Sequence, residues 1–179
     1  MKILILDGSY EDKYSAGLER LVKLYESKEH KVEVLNLEKM RIAYCTGCWS
    51  CWVKTPGKCV HNDDTQVLLR KTINSDAVIV FTENSFGYTT SLTKKAQDKM
   101  VSLIHPYIEL VQGESHHKKR YEKYPKFGLI FIDEDMNEND FDTVEAIYKR
   151  VVINLKTELA MSYHTKDGME GLTYENISI

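Results

Sequence analysis

The chain has 179 residues, 42% apolar and 28% charged, and its 24 Lys and Arg face 27 Asp and Glu for a net charge of −3. That apolar share is enough to bury a core, which excludes a disordered or low-complexity chain. The acidic balance gives no basic surface for nucleic-acid phosphates, and the longest apolar run, Ala77 to Phe81, is far below the roughly 20 residues of a membrane span.

Lys2 to Leu6 is a short apolar run stopped by Gly8-Ser9, the pattern of a strand buried on both faces. The opening segment carries no small-residue cleavage pattern, so a cytoplasmic chain is expected. Leu18, Leu21, Val22 and Tyr25 then fall on one helical stripe, predicting a helix over about 15–28. Lys31 to Leu37 reads as a second strand, and Asp64 to Ile73 as a short helix. Asp76 to Thr82 is the strongest strand signal, continuous and β-branched. Leu92, Ala96, Met100, Leu103 and Ile104 predict a helix from Ser91 that breaks near His105-Pro106. Phe127 to Ile132 is a fourth strand. Val144, Ile147, Tyr148, Val151 and Leu155 sit at helical spacing behind Asp140, which reads as the N-cap. Glu158 to His164 completes the series as a fifth strand.

Apolar strands alternating with helices predict one α/β domain over residues 1–179, three layers deep around a parallel, doubly wound sheet. After His164 the tail at 165–179, with Asp167-Gly168 and Gly171, carries no helical stripe, so the last covering helix is expected to be missing. The sheet face it would cover is expected to be closed by the tail or by another subunit. A homodimer or larger assembly is therefore expected.

Sites in such sheets lie at the carboxyl ends of the strands. The first loop places Ser9 and Ser15 as hydroxyl donors and Lys13 as a charge beside a helix start, a pattern suited to phosphate. Glu11 and Asp12 oppose it, and the plain alternative is that Gly8 turns the chain while Ser15 caps the helix. The four cysteines form Cys45-x2-Cys48-x2-Cys51-x7-Cys59. Three thiolates so spaced can surround an iron–sulfur cluster. Zinc, which more often takes two separated pairs, and a set of merely half-buried thiols are the alternatives. A disulfide does not suit a cytoplasmic setting. His116 to Arg120 is a basic run, read as a solvated loop or as a docking site for a phosphorylated cofactor or an acidic partner. Trp49, Trp52, Tyr121 and Tyr124 read as pocket lining or as core. The acidic stretch Asp133–Asp140 reads as exposed. No catalytic triad or carboxylate pair stands out.

These residues together resemble the flavodoxin-like NAD(P)H-dependent FMN reductases, and within them the iron–sulfur flavoproteins. The likeness rests on Met1–Ser9, on the Cys45–Val60 segment followed by Asp63-Asp64-x-Gln66, and on Arg120–Lys126. It implies a five-stranded sheet in the order 2-1-3-4-5, with FMN lying across the strand ends. It also implies that Ser9 and Ser15 contact the phosphate, and that Thr82, Asn84, Ser85, Phe86 and Gly87 meet the ring. NAD(P)H would be the donor, with a 4Fe–4S cluster held by Cys45, Cys48, Cys51 and Cys59, and the partners would be small-molecule electron donors and acceptors. Thr82, Phe86, Gly87, Lys94 and Asp98 match the family's ring-loop pattern. Tyr10 and Glu11 stand where the family has Pro and Arg, Glu83 where it has Pro, Ser85 where it has Tyr and Lys99 where it has Arg. These departures put negative charge beside a dianionic ligand. They motivate a second reading, a cofactor-free scaffold that acts by binding. A flavin-dependent reductase of quinones or other acceptors without a cluster is a third.

Overall fold

Alternate residues of the central strands decide the architecture. Leu4, Leu6, Val78, Val80, Leu129 and Phe131 are buried on one side of the sheet, and Ile3, Ile5, Ile79, Phe81, Ile130 and Ile132 on the other. Both faces must therefore be covered. A computed structural model shows how; it describes residues 1–135, 137–166, 169 and 171–179.

The chain runs through β1 (Lys2–Asp7), α1 (Ser15–Glu26), β2 (Lys31–Asn36), α2 (Ser50–Val53), α3 (Thr65–Ile73) and β3 (Ala77–Ser85). Next come β4 (Tyr88–Thr89), α4 (Ser91–Lys99), β5 (Ile104–Val111), β6 (Glu114–Lys119), β7 (Lys126–Ile132), α5 (Glu138–Asn154) and β8 (Leu159–Thr165). Single 3-10 turns span Met100–Leu103 and Tyr174–Ile177. The main sheet runs β2-β1-β3-β7-β8, parallel along that path, with the short β4 added antiparallel on β3. It is the flavodoxin-like α/β fold that the sequence implied. Helices α3, α4 and α5 contribute Leu68, Leu92, Ala96, Val144 and Tyr148 to the core on the first face.

The second face is covered by α1, through Leu21 and Tyr25, and by the tail. Met169, Leu172 and Ile177 are fully buried there. Tyr25 donates its hydroxyl to the Ile177 carbonyl at 2.9 Å, and the His30 ring lies 2.9 Å from the Tyr174 hydroxyl. A 3-10 turn, capped reciprocally by Thr173 and Asn176, thus takes the place of a closing helix, and no α-helix follows β8 among the described residues. Asp167 and Gly168 lie outside those residues. With this face covered by its own chain, the apolar patch that led to the expectation of an assembly is closed. No helix among the described residues is long and apolar enough to cross a membrane.

Three expectations need correction. The α4 helix ends at Lys99, before Pro106, because a 3-10 turn passes the chain into β5, and His105-Pro106 lie inside that strand. The basic run His116–Lys119 is not a solvated loop: it is most of β6, paired antiparallel with β5, and His116 is buried beside Glu114. The hairpin is held to α5 by the Glu114–Arg150 ion pair and to the segment just after it by the Glu109–Lys156 pair. Finally, α5 starts earlier than expected. Asn137, not Asp140, is its N-cap and accepts from the Asn139 N–H.

Candidate cofactor site

Three loops, leaving the carboxyl ends of β1, β3 and β2, carry the candidate residues. The first, Gly8–Tyr14, leaves β1 under a buried hydroxyl network. Thr93 donates to the Thr82 hydroxyl at 3.0 Å, and Thr90 donates to the Gly8 carbonyl at 2.6 Å. Only glycine fits at position 8, since a Cβ there would lie 1.9 Å from the Thr93 Oγ1. Thr82, expected to face a cofactor, is fully buried in this network and fixes the loop instead.

The loop's donors are already engaged. Ser9 gives its N–H (3.1 Å) and its hydroxyl (2.6 Å) to Asp7 Oδ1. Tyr10 N–H goes to Glu83 Oε1 at 3.0 Å and Glu11 N–H to Glu38 Oε2 at 3.0 Å. Burial holds the Asp7 carboxyl above its ordinary range, and the bonds from Ser9 offset this only in part. Lys13 is bound at 2.6 Å by Glu134 and lies 3.8 Å from Glu83. Its hydrogen bond to Glu134, then that to Tyr14, pushes its ammonium up and pulls the Glu134 carboxyl down. Lys39 is paired with Asp12 at 3.0 Å. Ser15 is exposed at the start of α1. A phosphate dianion does not fit this arrangement, because carboxylates occupy the loop's donors. Each like unit charge at ~4 Å and an effective dielectric near 20 opposes it by about 4 kcal/mol before screening.

The ring-loop residues form a hairpin. Asn84 and Ser85 of β3 pair with Thr89 and Tyr88 of β4. Phe86 and Gly87 make the two-residue turn, both at positive φ, as a tight hairpin of this hand requires. Asn84 accepts the Gly87 N–H and donates to Asp140, while Phe86 stands fully exposed at the tip. The structure thus brings Asn84 and Ser85 beside the first loop on one cavity of about 430 Å³, but it does not bring Thr82, Ser9 or Ser15 to that cavity wall.

The third loop carries the cysteines. It is clamped at its base: Asp63 accepts from Ala43 N–H (2.8 Å) and Thr65 N–H (2.9 Å), and Asp64 accepts from Arg41 N–H (2.8 Å). Gln66 donates to the Cys59 carbonyl at 2.8 Å, and Trp52 donates its indole N–H to the Val101 carbonyl at 2.9 Å. Within this frame Trp49 takes a left-handed backbone and stacks on Trp52, the rings 4.7 Å apart. All four cysteines line one cavity of about 340 Å³, open to solvent at Cys45 and Cys48. The Cys48 thiol is pulled below its ordinary range by hydrogen bonding with the Ser50 side chain and backbone. Among the described residues, no three His, Cys, Asp or Glu side chains are set to chelate a metal ion.

Lys99 is a site residue that the sequence reading did not place here. Its side chain is buried, with Nζ 3.6 Å from Cys59 Sγ and 3.5 Å from the Tyr44 carbonyl. Among the described residues no carboxylate forms an ion pair with it. A buried ammonium requires an anionic neighbour; the Asp63 carboxylate is near enough to interact with it electrostatically, and Cys59 is the thiol beside it. A thiolate or other anion held at Cys59 would therefore meet a buried cation. A sequence signal existed: Lys99 continues the apolar stripe of Leu92, Ala96 and Leu103, which runs from α4 into the 3-10 turn.

A family model described as NADPH-dependent FMN reductase matches residues 1–119. The chain belongs to that family. Two curated relatives, both named iron-sulfur flavoprotein and both from Archaeoglobus fulgidus, match it in part. One is 34% identical over 91 residues, covering 51% of this chain and 40% of the relative. The other is 29% identical over 100 residues, covering 55% and 48%. The matches thus span under half the length of each relative. Among solved structures, an azoreductase from Bacillus anthracis superposes with a TM-score of 0.65 at 9% identity, over 93% of this chain and 87% of the other. At that identity the likeness shows the fold alone.

Proposed function

We propose that this member of the FMN reductase family is an electron-transferring oxidoreductase whose four cysteines hold an iron–sulfur cluster. The observation that carries the reading is the buried Lys99 ammonium, aimed at a cavity lined by Cys45, Cys48, Cys51 and Cys59. The named relatives, iron-sulfur flavoproteins, support it. A 4Fe–4S cluster would exchange single electrons there. NAD(P)H is the proposed donor and the cytoplasm the proposed setting, where thiols stay reduced.

The chain's own residues prepare the site. Asp63, Asp64 and Gln66 hold both ends of the cysteine loop against the start of α3. Ser50 eases Cys48 toward the thiolate that a metal needs. Lys99 offsets the negative charge of bound thiolates, and Trp49 stacks on Trp52 within the loop. A flavin belongs, in this reading, across the ends of β1 and β3, beside Asn84 and Ser85. The first loop does not fit the FMN phosphate as it stands, and no step is assigned through it.

Anaerobic reconstitution with iron and sulfide tests the proposal. The expected result is about four irons retained per chain, with visible absorption that bleaches on reduction and is lost in Cys45→Ser. A chain that retains no iron would overturn it. A second reading, a cofactor-free binding scaffold, is favoured by one observation: the first loop's N–H groups are satisfied by Asp7, Glu83 and Glu38. Micromolar or tighter flavin binding by the apo-protein would remove that reading.

A further inference from the structure

Three successive N–H groups of the first loop end on three carboxylates brought from separate parts of the chain: Asp7 in β1, Glu83 in β3 and Glu38 after β2. The nearby cations are used as well, Lys13 by Glu134 and Glu83, Lys39 by Asp12. A loop that offers backbone donors to an anion is here filled by the protein's own anions. To enter it, a phosphate must displace Glu83 and Glu38 and then remain beside them, with Lys13 and Lys39 already paired. A hydroxyl group meets the opposite situation. It can donate to these carboxylates, which have lone pairs to spare, without displacing them or adding charge. The adjoining cavity, about 430 Å³, is lined by Tyr10, Glu11, Lys13, Glu83, Asn84 and Ser85, two of them carboxylates.

We infer that this site selects a flavin without a terminal phosphate: riboflavin binds it more tightly than FMN, and Glu83 and Glu38 set the preference. The inference rests on the proposed reading that a flavin lies across these strand ends. It separates affinity for the ring from rejection of the phosphate, and so the two can fail independently.

The test is a flavin-fluorescence titration of the full chain with riboflavin and with FMN, for the wild type, Glu83→Gln and Glu38→Gln, each variant first checked for folding by circular dichroism. Glu38 is exposed, so its variant keeps the test available should Glu83→Gln fail to fold. In the wild type, riboflavin is expected to bind at least about tenfold more tightly. Either variant should narrow that ratio by roughly fivefold or more, chiefly through FMN. Added salt should tighten FMN binding, since screening relieves repulsion, and leave riboflavin nearly unchanged. FMN binding more tightly than riboflavin would overturn this inference and leave the flavin reading standing. A preference for riboflavin that neither variant alters would overturn the role given to the carboxylates. Failure of both flavins to bind would overturn the inference and the flavin reading together.

Discussion

Asp63 touches no cysteine, yet its replacement by alanine is predicted to empty the cysteine site. Its carboxylate accepts the Ala43 N–H just ahead of Cys45 and the Thr65 N–H at the start of α3, at 2.8 and 2.9 Å. Together these bonds tie the loop's entry to its exit. A hydrogen bond to a charged group contributes about 1.5–3 kcal/mol when its partner is left without a substitute. The segment is only half-buried, so water replaces part of each bond, and the lower end of the range applies. Asp63→Ala should therefore cost about 2–3 kcal/mol, a roughly 30- to 150-fold fall in the population of the closed loop. Asp63→Asn keeps one acceptor oxygen and should fall between. Burial alone would raise the Asp63 carboxyl, but hydrogen bonds from Thr65 and Ala43 outweigh it and hold it below its ordinary value of 3.8. Its contribution is thus fully present above that value and is lost as pH falls through the folded one. Urea unfolding of the iron-free chain, paired with iron retention after reconstitution, measures both effects. An unchanged midpoint with full iron retention at neutral pH would refute the reasoning.

Gly8→Ala should cost about 1–3 kcal/mol by overpacking, since its Cβ would press on Thr93 and break the Thr82–Thr90–Thr93 network; thermal unfolding reads this directly. Ile177→Ala should cost about 2–5 kcal/mol, because the side chain is fully buried under the sheet. Light scattering should also show increased association as the apolar face opens, whereas an unaltered assembly state with unchanged stability would count against the tail as a cover. Asp7, held above 3.8 by burial, takes up a proton more readily folded than unfolded. The stability it contributes is present below 3.8 and lost as pH rises through the folded value. The stability difference between wild type and Asp7→Asn should therefore shrink or reverse across that window in pH-dependent urea melts.

The five parallel strands were legible because strands buried on both faces read as unbroken apolar runs, Ala77–Phe81 most of all. The β5–β6 hairpin was not. One of its strands is Glu-Ser-His-His-Lys-Lys, an edge composition without an apolar period. Its turn, Gln112-Gly113, has both residues at positive φ, yet Gln is not among the residues that announce such a turn. The tail was legible as lacking a helix, but its packing was not, since Met169, Leu172 and Ile177 form no local pattern. At the site, the cysteine spacing pointed to the cavity, while the Asp63-Asp64-x-Gln66 segment stands out in the sequence without showing its purpose as a clamp. Lys99 sits on an apolar stripe and reads in sequence only as a departure from the family pattern. The carboxylates that fill the first loop reach it across 27 and 73 residues of chain, and no local signal encodes a contact made by folding.

The central claim is that the cavity beside Lys99 holds an iron–sulfur cluster. Electron paramagnetic resonance of the anaerobically reconstituted, dithionite-reduced chain addresses it most directly. The account predicts a reduced-cluster signal that disappears in Cys45→Ser and in Cys59→Ser. A spectrum without that signal, from protein whose four thiols all titrate as free, would contradict it.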